Sequence, residues 1–205
     1  MHIMQLRFRF GGALVVFGLL AWAASLPLAH RLDETVTTWI QRAAPGPDSP
    51  ASVLVFLGNA EVVVPAVVIA AGLLWPRDRD SGLGALTLAA GLAVASLLAV
   101  TLKHVIVHPG PTAQFQRPVM QVGLQAYTPY SFPSGHTLRT TLLAVSGLPN
   151  ARWLAGLLIL GMMAALVYLG NHWLSDVLGG LGLGWVCLEA RGAFRSARFL
   201  SYRRG

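Results

Sequence analysis

The sequence predicts an all-α, polytopic membrane protein: six transmembrane helices, both termini cytoplasmic, and a short interfacial helix between helices 1 and 2. Three observations carry that reading. Of 205 residues, 55% are hydrophobic and only 11% charged, less than half of the roughly 25% charged residues in a soluble domain. The mean hydropathy of +0.61 excludes disorder despite 22 Gly and 12 Pro, and the glycines follow no collagen-like period. At about 20 apolar residues per span, six spans take about 120 residues and leave only short loops, with no room for a second soluble domain. Residues 1–205 therefore read as a single six-helix domain.

The elements follow in order. Residues 10–29 carry no charge and are preceded by Arg7 and Arg9, as expected of a first span entering from the cytoplasm. The run is longer than the apolar core of a signal peptide, about 7–15 residues, so it is expected to be retained. Over 30–52, Leu32, Val36, Trp39 and Ile40 recur at helical spacing among polar neighbours, before a break at Pro45-Gly46-Pro47. That pattern suits a helix lying in the outer interface. The second span is 53–75, with Glu61 near its outer end and a polar cytoplasmic turn, Arg77 to Asp80, after it. The third, 81–103, is uncharged until Lys103, the only lysine.

A long loop, 104–133, contains Phe115, Tyr127, Tyr130 and Phe132, aromatics of the kind that anchor at an interface. A loop of this length is usually functional or disordered. The fourth span, 134–148, is short and holds His136 and Arg139, and the fifth, 153–170, is cleaner. The sixth, 172–189, contains Asp176 and the glycines Gly179, Gly180, Gly182 and Gly184, which suit close helix packing, and a basic tail follows from Arg191.

In this topology ten basic residues (Arg7, Arg9, Arg77, Arg79, Arg152, Arg191, Arg195, Arg198, Arg203, Arg204) lie inside and four (Arg31, Arg42, Lys103, Arg117) outside. This places the termini in the cytoplasm. A net charge of +7 could suggest nucleic acid, but basic residues at the ends of apolar runs are orientation signals, and no nucleic-acid partner is expected. Cys187 lies in an apolar stretch and reads as packing.

Parity then brings Lys103, His136 and His172 to one depth at the outer ends of spans three, four and six. Ionisable residues inside a membrane default to a functional reading. His172 and Asp176 are four apart, on nearly one helix face, so the carboxylate can fix the imidazole tautomer and leave the other ring nitrogen as a nucleophile or base. A helix-capping pair is the plainer alternative. Pro133-Ser134-Gly135-His136 stands where loop becomes helix. It reads either as an N-cap followed by an exposed histidine or as a phosphate cradle built on free backbone amides.

Lys103, Pro111, the Pro133-Ser134-Gly135-His136 run and His172 with Asp176 resemble the three-part signature of the type-2 phosphatidic acid phosphatase family, which shares its core with vanadium haloperoxidases. The resemblance implies a membrane phosphatase acting on a lipid phosphate or diphosphate in the outer leaflet, with neither metal nor other cofactor. It further implies that His172 attacks phosphorus, Asp176 orients it, His136 protonates the leaving oxygen, and Lys103 with Ser134 and Gly135 binds phosphate. Two family positions differ: arginines expected in the first and third motifs are replaced by Gly110 and Leu166.

Arg139 follows His136 by three residues on one helix face and is the first candidate to replace them, with Arg117 second. Arg139 could otherwise snorkel toward headgroups. His104 and His108 could add positive charge near the phosphate when protonated. Two other readings stay open: a catalytically silent relative that binds an anionic headgroup, and a proton-coupled transporter using Glu61, Arg139 and Asp176.

Overall fold

The computed structural model describes residues 2–44, 46, 48–117 and 128–202. Pro45, Pro47, Tyr127, Arg203 and Arg204, all used above, lie outside them. The described residues form eight helices and no strand: α1 (His2–Ala24), α2 (Pro27–Ala43), α3 (Ser49–Leu57), α4 (Ala60–Leu74), α5 (Arg79–Val105), α6 (Gly135–Gly147), α7 (Arg152–Tyr168) and α8 (Leu174–Tyr202).

Two expected spans are not single helices. The run at 10–29 ends at Ala24, and α2 leaves α1 at 84°. The physical reason is Pro27 at the start of α2, which holds Leu26 in extended conformation (φ −82°, ψ 142°) because a residue before proline clashes in the α region. The helix expected in the interface therefore starts at Pro27. The run at 53–75 is likewise broken by 56° between α3 and α4, at Gly58-Asn59, with Asn59 extended (φ −64°, ψ 145°).

Among the described residues, by length and composition, α5 alone could cross a membrane unbroken, or up to three segments could if each bent pair counts as one span. Helix α6, with 13 residues, rises only about 20 Å, short of the roughly 30 Å hydrocarbon thickness.

Helix α2 carries two polar side chains into the interior. Asp33 and Thr37, one turn apart, are buried, while Leu28, Leu32 and Trp39 are exposed alongside Arg31 and Arg42. Exposed apolar and basic side chains on one helix suit a membrane interface. The interior divides into two apolar clusters. One gathers α7 residues such as Ile159, Met162 and Leu166 with Val55 of α3 and Val177 of α8. The other joins Val63 of α4, Leu92, Ala95 and Ala99 of α5, Leu138 and Leu142 of α6, and Leu183 of α8.

The expected glycine face of α8 is real. A side chain at Gly180 would strike the Ser134 carbonyl oxygen, one at Gly179 the Phe132 ring, and one at Gly184 would come within 2.9 Å of Thr141. The backbone of the 132–135 turn thus rests almost directly on α8. Gly180→Val should destabilise the protein by about 1–3 kcal/mol, because backbone cannot yield as a side-chain tip can. The check is a lowered melting temperature in detergent; an unchanged one would show that the turn is free to move.

Candidate active site

The site grows from the start of α8. Trp173 precedes its first helical residue, Leu174, and Asp176 in the first turn reaches back: Trp173 N–H donates to Asp176 Oδ2 at 2.9 Å. This is the reach-back half of a capping box. His172 therefore sits just ahead of the helix, not inside a span as the sequence reading has it. The same Oδ2 accepts from His172 Nδ1 at 3.1 Å, which leaves Nε2 as the ring nitrogen not held by Asp176. His172 is nearly buried and Asp176 fully so. One carboxylate oxygen thus both caps the helix and contacts the imidazole.

Asp176 also fixes its surroundings. Its Oδ1 accepts from Ser131 Oγ at 3.0 Å, and its backbone carbonyl accepts from Ser134 N–H at 2.9 Å. The first motif region is drawn in as well, since Trp173 Nε1 donates to the Pro109 carbonyl at 2.9 Å and Ser131 N–H to the His108 carbonyl at 2.9 Å.

Ser134 is the N-cap of α6, accepting from Thr137 N–H through its side chain at 3.4 Å, and it is fully buried. Its own N–H and hydroxyl are thus engaged within the protein. The amides of Gly135 and His136 stand in the first helical turn, where the helix supplies no partner. His136 stands edge-on to His172, with ring centroids 6.4 Å apart. Lys103, in the last turn of α5, lies within Coulombic range of His136, His172 and Asp176.

Arg139 does not snorkel: it is 7% exposed. Its Nε donates to the Gly58 carbonyl at 2.9 Å. Its terminal nitrogens lie over Gly135, where a Cβ would sit 3.0 Å from Nη1 and 3.8 Å from Nη2. The guanidinium thus stands at the glycine of the expected cradle, one turn below His136. Leu166 is fully buried in the apolar core, and its carbonyl accepts from Asn171 N–H at 3.0 Å and His172 N–H at 3.3 Å. Gly110 lies against Ser131, whose Cβ would be 3.3 Å from a new one.

Arg117 is employed elsewhere. Nη1 donates to Asp48 Oδ1 at 3.0 Å and Tyr168 Oη at 2.9 Å, and Nη2 to the Gln41 carbonyl at 3.0 Å. The guanidinium also stacks 4.2 Å over the Tyr168 ring. It ties the α2–α3 connection to α7 and Phe115's loop, which corrects its reading as a phosphate ligand. Gly170 assists, since its φ of +67° lets the chain turn where a side chain would meet the Phe115 carbonyl. His104 is exposed, with Nδ1 on the Val100 carbonyl at 2.9 Å.

Sequence reasoning missed Asn59, whose Oδ1 lies 2.6 Å from His136 Nε2, so the imidazole donates its Nε2–H to that amide oxygen. The signal available was the polar Gly58-Asn59 pair inside an apolar run. It also missed Asp33, on the interfacial helix. Burial pushes the Asp33 carboxyl up from the ordinary carboxylate range, against hydrogen bonds from the Ser175 hydroxyl and amide. Among the described residues no group of three or more His, Cys, Asp or Glu side chains is arranged to hold a metal ion.

Residues 84–198 match the sequence model of the PAP2 superfamily. An undecaprenyl-diphosphatase of Sulfolobus acidocaldarius is 32% identical over 141 residues, a region that spans 65% of each chain. The crystal structure of a transmembrane PAP2-type phosphatidylglycerolphosphate phosphatase from Bacillus subtilis superposes with a TM-score of 0.75 at 21% identity, covering 93% of this chain and 97% of that one. LpxE of Aquifex aeolicus superposes with a TM-score of 0.59 at 20% identity, covering 78% and 95%.

The contacts of Arg117 generate a direct check. Arg117→Met should lower stability by about 1 kcal/mol, the scale of a half-exposed charged hydrogen-bond set. Turnover per folded molecule should stay within about threefold. A loss of turnover with unchanged melting would return Arg117 to the site.

Proposed function

The chain belongs to the PAP2 superfamily, and from that premise and the geometry above we propose that it is a membrane phosphatase hydrolysing a lipid phosphate or diphosphate through a phosphohistidine. The observation that carries the proposal is His172, with Nδ1 held by Asp176 so that Nε2 is the ring nitrogen left for attack, beside the His136 ring. Nε2 would attack phosphorus and form the N–P bond as the P–O bond to the lipid breaks. His136, as the imidazolium, would give its Nε2 proton to the leaving oxygen, which would take the place of the Asn59 amide. The neutral His136 would then take a proton from the water that cleaves the N–P bond, releasing phosphate and restoring both histidines.

Lys103, Arg139 and the Gly135 amide would bind the phosphoryl oxygens. Arg139 would supply the guanidinium absent at 110 and 166, reaching the cradle from α6 instead of the flanking motifs. No metal is needed for these steps. Phosphatidate, phosphatidylglycerol phosphate and undecaprenyl diphosphate are all candidate substrates. In the proposed six-span topology α1 is one span and the folded-back pair α3–α4 another, with α2 in the interface, the termini cytoplasmic and the site facing the outer leaflet of the cell (inner) membrane. The charge asymmetry supports that orientation.

A second reading, headgroup binding without turnover, is favoured by one observation: Leu166 is built into the apolar core.

Detergent-purified protein should release phosphate from at least one lipid of that panel, equally with and without EDTA, and His172→Ala should abolish release. Equal inactivity of wild type and His172→Ala across the panel would leave the binding reading. Arg139→Lys should lower the rate by about 10²–10³, the scale of one lost transition-state donor, because lysine cannot bind bidentately. Near-full activity would confine Arg139 to holding Gly58. Cysteines placed in the 104–133 loop should react with an impermeant reagent from outside intact cells; reaction only from the cytoplasmic side would overturn the topology.

A further inference from the structure

Behind the Asp176–His172 pair lies a second set of buried polar groups that the reaction above does not use. His108, in the loop after α5, is 3% exposed, and Asp33 of α2 is 2% exposed. His108 Nε2 lies 3.0 Å from Ser175 Oγ, 3.6 Å from Asp176 Oδ1 and 3.7 Å from Asp33 Oδ2. The Ser175 hydroxyl has one proton, and it goes to Asp33 Oδ2 at 2.6 Å; Ser175 N–H also donates to Asp33 Oδ1 at 2.9 Å. With that proton spent, Ser175 Oγ can only accept from His108. The tautomer that matches this pairing has hydrogen on Nε2, which points between two carboxylates.

We propose that His108 is a positioning residue for the nucleophile, its Nε2–H held by Ser175 and Asp33 so that it faces Asp176 and keeps that carboxylate ionised and turned toward His172. This rests on the phosphatase reading. The charged and titratable groups around His108 are Asp33 from α2, Asp176 from α8 and His172 from the turn before α8, and Lys103 from α5 acts on Asp176 as well. The Phe132 ring stands edge-on at 6.2 Å and closes the remaining side. A buried carboxylate is strongly inclined to take up a proton. A protonated Asp176 would accept more weakly from His172 Nδ1, and the nucleophilic lone pair on Nε2 would be less firmly held. The positive edge of the His108 ring, with Nε2 3.6 Å from the far oxygen, opposes that electrostatically, without a hydrogen bond. Asp33 is then the group that aims the donor, which explains a buried carboxylate on an interfacial helix.

Two variants and one measurement on the unaltered protein test this. Glutamine can place an N–H where Nε2 stands, whereas leucine fills similar space without a donor. His108→Leu should lower kcat about 10–100-fold with KM within about threefold, the scale seen when a carboxylate that orients a histidine is lost. His108→Gln should recover most of that loss. Equal kcat in the two variants, whether high or low, would reduce His108 to packing and overturn the proposal.

The second arm requires neither variant to fold. In wild-type protein labelled with ¹⁵N-histidine in lipid nanodiscs, His108 should carry hydrogen on Nε2 and neutral His172 on Nδ1. A His108 protonated on Nδ1 alone would also overturn the proposal. Because this readout needs no substrate, the expected tautomers in a protein that hydrolyses no lipid would retire the phosphatase reading and leave the positioning geometry standing.

Discussion

The burial of one carboxylate organises this molecule. Asp176 is fully enclosed, and a buried charge is tolerable only where several donors compensate its lost hydration. Those donors come from separate stretches of chain: the His172 ring and Trp173 amide from the turn before α8, and the Ser131 hydroxyl from the long loop, with the His108 ring beyond it. The backbone carbonyl of the same residue holds Ser134 at the head of α6. Satisfying Asp176 therefore assembles all three motif regions at once. The glycines of α8 make the assembly possible, because only without a side chain at 179 and 180 can the 132–135 turn approach closely enough.

What could be read from the sequence was what depends on short spacing. His172 and Asp176 four apart, serine before a helix start, and the close-packing glycines of α8 each constrain a single turn or helix, and each is found. Span parity added the convergence of Lys103, His136 and His172. What stayed hidden depends on contacts distant in sequence. Nothing local distinguishes Asp33 from any polar residue of an interfacial helix; its meaning lies in Ser175, 142 positions later. Arg117 looked like a free loop cation, and its partners Asp48 and Tyr168 lie in elements that the sequence did not join to it. The break at Gly58-Asn59 was obscured because hydropathy averages over it, and no proline marks it.

The membrane setting explains why the polar groups gather as they do. Hydrocarbon leaves the outer faces of the helices apolar, as Leu97, Leu157 and Leu160 illustrate, so polar side chains are left with the interior or the interface. Helix α2 satisfies both, presenting Trp39 outward and Asp33 inward. An interfacial element thereby supplies a buried acid to the core, and the 84° turn at Pro27 is what aims it there.

The same rule bears on the broken α3–α4 pair and on Arg139. A helix break frees carbonyls that water cannot reach in lipid, so each needs a partner within the protein. At Gly58 that partner is Arg139 Nε, while Asn59, the other residue of the break, accepts from His136. The break is thus closed by the two residues of α6 that face the reaction site. A guanidinium suits this double duty: Nε can hold Gly58 while the terminal nitrogens remain over Gly135, at the cradle. An ammonium concentrates its charge at one point and cannot span both. Arginine is absent at 110 and 166 and present at 139, and in the proposed reaction the cation for phosphate would also be the group that lets the bent α3–α4 pair end beside His136.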